Sequence, residues 1–141
     1  SLSDRKAMKE IHYSEPEIAY LLAKQRGSLA TSVRDWPQVT PIIYVFDDTK
    51  KVIYFTCRVK TKKFRNILTN PKVGFTVFKE RVGKGRGVSL QGIAEEIIDE
   101  SEFNYAKALL SALTYYGRRI IVRDTNRMFR ITPTSKYSWN I

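Results

Sequence analysis

The sequence predicts a mainly β fold: a six-stranded antiparallel barrel with added helices. Three observations carry this. Short segments alternate apolar and polar residues with the period of a strand. The first three are joined by short turns, which favours an antiparallel meander. The helical segments do not alternate regularly with strands as they do in a parallel sheet. The 141 residues suit one domain (1–141, with 1–13 as an N-terminal arm), and the 43% apolar content supplies a core.

In chain order, Ser14-Glu15-Pro16-Glu17 forms a capping box with proline near the helix start. Ile18, Leu21 and Leu22 give that helix one apolar face, and Gly27 is its expected stop. Leu29, Thr31 and Val33 then alternate with Ser28, Ala30 and Ser32, which predicts the first strand. Residues 34–37 and 47–50 read as turns around a second strand at 39–46, and a third follows at 51–56. Residues 61–69 are helical in pattern, with Phe64, Ile67 and Leu68 in one stripe and Asn70-Pro71 as the end. Strands follow at 73–79 and 88–97, with Gly83, Gly85 and Gly87 read as a mobile hairpin loop between them. Gly92 inside the second of these predicts a bulge or a close backbone approach. Ser101 is the expected cap of a helix to about residue 116, with Phe103, Ala106, Leu110 and Leu113 inward and Gly117 ending it. Strand character returns at 128–132 and 137–139.

The formal charge is +11 and is unevenly distributed. Residues 58–86 hold ten basic side chains against Glu80 alone, a local charge of +9. Residues 95–102 hold five acids and no base. Such an excess points to an anionic partner, a phosphorylated small molecule or nucleic acid. No apolar run approaches a membrane span, and no signal-peptide pattern opens the chain. The single cysteine, Cys57, fits a reducing, cytoplasmic setting.

The sharpest chemical feature is Thr61-Lys62-Lys63 at a helix start. Thr61 serves as N-cap, and the first turn exposes backbone N–H groups at the positive end of the helix dipole. Two lysines weaken a helix start, so their presence is easier to understand if an anion binds there. Thr56 can add a hydroxyl donor. Other templates fare worse. His12 is the only histidine, which argues against a catalytic triad or a multi-histidine metal site. Cys57 reads as a buried, inert thiol. Glu95 and Glu96 are adjacent in a strand and point to opposite faces. Tyr54, Phe55, Phe75 and Phe78 read as core, and no nucleic-acid motif is present.

Five stretches taken in order resemble the pyridoxamine 5′-phosphate oxidase-related FMN-binding split barrels. They are Gly27-Ser-Leu-Ala-Thr-Ser-Val, Pro37-Gln-Val-Thr-Pro-Ile-Ile-Tyr, Val52-Ile-Tyr-Phe-Thr, Thr61-Lys-Lys-Phe-Arg-Asn-Ile-Leu-Thr-Asn-Pro-Lys-Val and Leu90-Gln-Gly-Ile-Ala. The resemblance spans residues 15–133. It implies a split barrel that forms a homodimer, with FMN at the subunit interface. It also implies that Val39, Thr40 and Pro41 line the isoalloxazine ring, largely through backbone. Phe55 and Thr56 match the family's pair at the end of the third strand. Thr61, Lys62 and Lys63 would hold the phosphate, with Arg58 adding charge.

Departures from the family pattern narrow the expected activity. The Arg-Leu-His substrate motif of the true oxidases is missing, and Gln38 stands where their second strand begins with Arg. Gln91 lies too late to match their flavin-contacting glutamine. The expectation is therefore a flavin-dependent oxidoreductase with a small-molecule substrate other than pyridoxamine phosphate. The alternatives are a reductase using the deazaflavin F420, a haem-handling relative, and a non-enzymatic module binding flavin or nucleic acid.

Overall fold

The computed structural model describes residues 10–113 and 125–141. Helix α1 spans Glu15–Ala23, α2 Lys62–Thr69 and α3 Glu100–Leu113. The strands are β1 Arg26–Val33, β2 Trp36–Asp47, β3 Val52–Arg58, β4 Lys72–Arg81, β5 Lys84–Glu96 and β6 Asn126–Trp139. They close antiparallel into one barrel in the order β1-β2-β3-β6-β5-β4. No helix among the described residues is long and apolar enough to cross a membrane.

Alternation explains the core. Inward residues of the strands, among them Leu29, Ile42, Tyr44, Phe46, Ile53, Phe55, Val77, Leu90 and Phe129, fill the barrel. Leu21 of α1 and Ile67 of α2 join this cluster. Strand β3 is buried on both faces, because Val52 and Tyr54 on its outer side pack with Ala106 and Leu110 of α3. This is why Val52 to Phe55 are apolar without alternation.

The capping box forms as the sequence predicts. Ser14 Oγ accepts from the Glu17 N–H at 3.2 Å, and Glu17 Oε1 accepts from the Ser14 N–H at 2.8 Å. The expected bulge is present too, as a register shift between Gln91 and Gly92. A Cβ at Gly92 would lie 2.6 Å from the Thr132 carbonyl oxygen. That neighbour is backbone and cannot swing away, so Gly92→Ala is expected to destabilise the fold by about 1–3 kcal/mol. A urea midpoint unchanged from the parent would contradict this.

Several expectations are corrected. Helix α1 ends at Ala23, and Gly27 lies within β1 opposite Ile42, where a Cβ would strike the Phe75 ring. The first turn is only Arg34-Asp35, both at positive φ, so β2 begins at Trp36 rather than Val39. A two-residue turn of this kind matches the twist of the strands it joins. Lys84 to Gly87 are not a mobile loop but the start of β5, and the turn is Val82-Gly83. There the Trp139 ring lies over Gly87, where a side chain would collide with it. Asp99, not Ser101, caps α3, because its carboxylate accepts from the Glu102 N–H at 2.8 Å. Leu113 is exposed rather than inward, and so is Leu22. The two expected tail strands are one continuous strand, β6. The expected helix end at residues 116–117 lies outside the described residues.

Candidate cofactor site

The site is built from a strand edge that the barrel leaves open. The Tyr44 N–H donates to the Gln25 carbonyl at 3.0 Å, on the β1 side of β2. Backbone alternation then sends the groups of Gln38, Thr40 and Ile42 toward β1 and those of Pro37, Val39 and Pro41 away from it. On that far side the β2–β3 ladder runs only from Tyr44–Phe55 to Asp47–Val52. Pro37 and Pro41 have no N–H and cannot extend it. The result is an edge presenting the Val39 N–H and C=O and the carbonyls of both prolines. Val39 is 67% exposed.

Helix α2 begins at the same end of the barrel, directly after β3. Thr61 caps it as expected: its Oγ1 accepts from the Phe64 N–H at 3.4 Å and donates to the Arg58 carbonyl at 2.6 Å. The first turn holds no acidic residue. With Phe64 capped, the N–H groups of Lys62 and Lys63 have no acceptor within the helix. Lys62 is exposed and Lys63 half-buried. The structure thus has a capped helix N-terminus carrying two cations and no acid.

The remaining expected residues divide by face. Thr40 and Thr56 are half-buried, and Pro41 is exposed on β2. The Phe55 side chain is fully buried in the barrel, stacked on Phe129 at 5.5 Å. The ring is therefore part of the core and is not a surface group. Arg58 is exposed at the end of β3. Cys57 is buried beneath the cap, with Sγ 3.3 Å from Thr61 Oγ1. Burial pushes its thiol pKa up, against the Thr61 hydrogen bond and the Lys63 charge, which lower it. It is therefore a packing group rather than a nucleophile. Glu95 and Glu96 serve separate ion pairs, with Arg130 and Arg127. His12 is exposed. Among the described residues no group of three His, Cys, Asp or Glu side chains is placed to hold a metal.

One cluster was missed in the sequence. Asn66, 6% exposed, donates from Nδ2 to Thr31 Oγ1 at 3.0 Å and to Gln38 Oε1 at 3.4 Å. It joins α2 to the open half of β2. Thr31 carried a signal, as a polar residue at an inward position of a strand, but Asn66 carried none, because its helix neighbours three and four residues away are Lys62, Lys63, Thr69 and Asn70.

A family model described as pyridoxamine 5′-phosphate oxidase matches residues 14–140. The chain belongs to that family. Solved structures share the barrel of this pyridoxamine 5′-phosphate oxidase relative. A conserved hypothetical protein of Mycobacterium tuberculosis is 25% identical with a TM-score of 0.72, covering 92% of this chain and 86% of its own. A FAD-binding protein of Mycobacterium smegmatis is 20% identical with a TM-score of 0.71, covering 90% and 96%. The haem storage protein HutZ of Vibrio cholerae is 16% identical with a TM-score of 0.73, covering 87% and 92%. No curated protein matches the chain.

Proposed function

We propose that the protein binds FMN between the open edge of β2 and the N-terminus of α2, and acts as a flavin-dependent oxidoreductase. The observation that carries this is the pairing of the two sites at one end of the barrel. The β2 edge offers one N–H flanked by carbonyls, which suits the alternating donors and acceptors of a flavin's pyrimidine ring. Thr61, Lys62 and Lys63 suit a phosphate monoester. Asn66 ties the two together, and it lies one helical turn beyond Lys62, roughly 6 Å along the axis. A flavin, when bound, supplies the hydride and electron chemistry. The chain orients the ring through the backbone of Val39 and Pro41, since the Thr40 backbone is taken up by the β1 ladder, and neutralises the phosphate. The Val39 N–H stabilises negative charge on the ring edge.

A homodimer is part of the same reading. On the outside of the barrel, Val39, Ala30 and Gly74 lie in one cross-strand row, and Pro41, Ser28, Thr76, Ser89 and Tyr137 in the next. These are mostly small side chains beside the exposed Val39 and Tyr137, a flat face suited to a second copy that would complete the ring pocket.

The decisive experiment is an absorption spectrum of the purified protein, with mass measurement of the released cofactor. FMN, with its two bands in the blue and near ultraviolet, is the expected result. A Soret band, or a colourless protein that takes up the deazaflavin F420 but not FMN, would overturn the assignment. Anaerobic reduction of the bound flavin by NAD(P)H is expected of the enzyme, and sedimentation is expected to give a dimer.

A further inference from the structure

We propose that Gln38 is a further binding residue of this site, donating to the phosphate-ester end of the ligand, and that Asn66 is the positioning residue that turns its amide. The proposal rests on the flavin reading above and adds to it a group outside the basic cluster. A primary amide nitrogen carries two hydrogens. Asn66 directs Nδ2 at both Thr31 Oγ1 and Gln38 Oε1. Thr31 is 2% exposed, so its hydroxyl is a buried acceptor that water does not replace. The Gln38 oxygen is thereby held against α2. Because the carboxamide is planar, its nitrogen points along the opposite branch, with both donors unused by any partner among the described residues.

Place decides what those donors serve. Gln38 precedes Val39, the residue that opens the β2 edge. Its side chain is half-buried on the inward face, at the barrel end where α2 begins. Its oxygen is held by Asn66 in the second turn of α2, so the amide lies beside that helix, one turn from its N-terminus. A neutral double donor there suits an oxygen-rich, anionic segment such as the phosphate and the polyol chain that carries it. Asn66 also holds the two halves of the site at a fixed spacing. A ligand that spans both then binds more tightly than the ring alone.

The test compares FMN with riboflavin, which lacks the phosphate, by fluorescence titration. The parent protein is expected to prefer FMN by at least about tenfold, the scale of one charge-assisted hydrogen bond. Gln38→Leu is expected to lower FMN affinity about tenfold while riboflavin affinity changes less than about threefold. Gln38→Glu keeps the Asn66 bond but turns a carboxylate oxygen on the phosphate, and should lower FMN affinity further. Asn66→Ala should match Gln38→Leu, and the double variant should lose no more than either one. A purely structural role would weaken both flavins together, and that result overturns the proposal. So does an unchanged FMN preference in Gln38→Leu and Gln38→Glu. If the parent binds neither flavin, the cofactor reading itself fails, which is a distinguishable outcome.

Discussion

Replacing Lys62 and Lys63 together by alanine is expected to weaken FMN binding by about two to three orders of magnitude and leave riboflavin binding nearly unchanged. Each lysine contributes a charge-assisted hydrogen bond worth roughly 1.5–3 kcal/mol, so about 3–4 kcal/mol is lost after partial compensation by the helix N-terminus. The two are not equal. Lys63 is half-buried and Lys62 exposed, so salt screens Lys62 more strongly. Lys63→Ala should account for the larger share, and the Lys62 share should fade at high ionic strength. The same change has an opposite effect on the unliganded protein. Cations at a helix N-terminus oppose the dipole by about 0.3–1 kcal/mol each. The apo double variant is therefore expected to melt no lower than the parent. Lower stability with equal loss of both flavins would mean that the lysines support the fold rather than a phosphate.

Glu17→Ala is expected to be among the most damaging substitutions outside the site, costing about 3–5 kcal/mol, because it breaks a buried ion pair and leaves its partner. Glu17 is 5% exposed, and Lys136 of β6 donates to its Oε1 at 2.6 Å. Lys136 also donates to the His12 carbonyl and lies over the Tyr13 ring, so this one ammonium pins the entry to α1 onto the barrel. Burial raises the Glu17 pKa, but hydrogen bonds from Lys136, Ser138 and Ser14 outweigh it and hold the carboxyl at about 2, below its ordinary 4.5. A depressed folded-state value stabilises the protein above the unfolded-state value, and that stabilisation is lost as pH falls through the folded one. The melting temperature should therefore drop between about pH 4.5 and pH 2. In Glu17→Gln this component of the acid dependence should be absent. A parent-like acid profile in Glu17→Gln would refute the assignment.

Much of the fold was legible because its signals are local. The alternation of Leu29, Thr31 and Val33, the capping box at Ser14 and Glu17, the Thr61 cap and the Gly92 bulge each depend on neighbours a few residues away. Thr61-Lys62-Lys63 was legible for the same reason, since the orphan N–H groups of a helix start follow from the cap alone. The errors were also local. Pro37 suggested a turn, but a two-residue hairpin at Arg34-Asp35 left it inside a strand. Three glycines suggested a loose loop, but at Gly87 the requirement was room for the Trp139 ring.

What the sequence by itself determined was most of the elements, the helix start with its two cations and, through ordered motifs, the family. Only the tertiary structure decided how these become a site. That Val39 faces an open edge depends on where the β2–β3 ladder stops, at Tyr44 and Phe55. That the Phe55 ring fills the barrel rather than the surface depends on which face of β3 closes it. The link from Asn66 to Thr31 and Gln38 joins residues 35 and 28 positions apart. Periodicity reports which face of its own element a side chain occupies. The partner waiting across the barrel is set by closure of the sheet, a long-range event that no local pattern encodes.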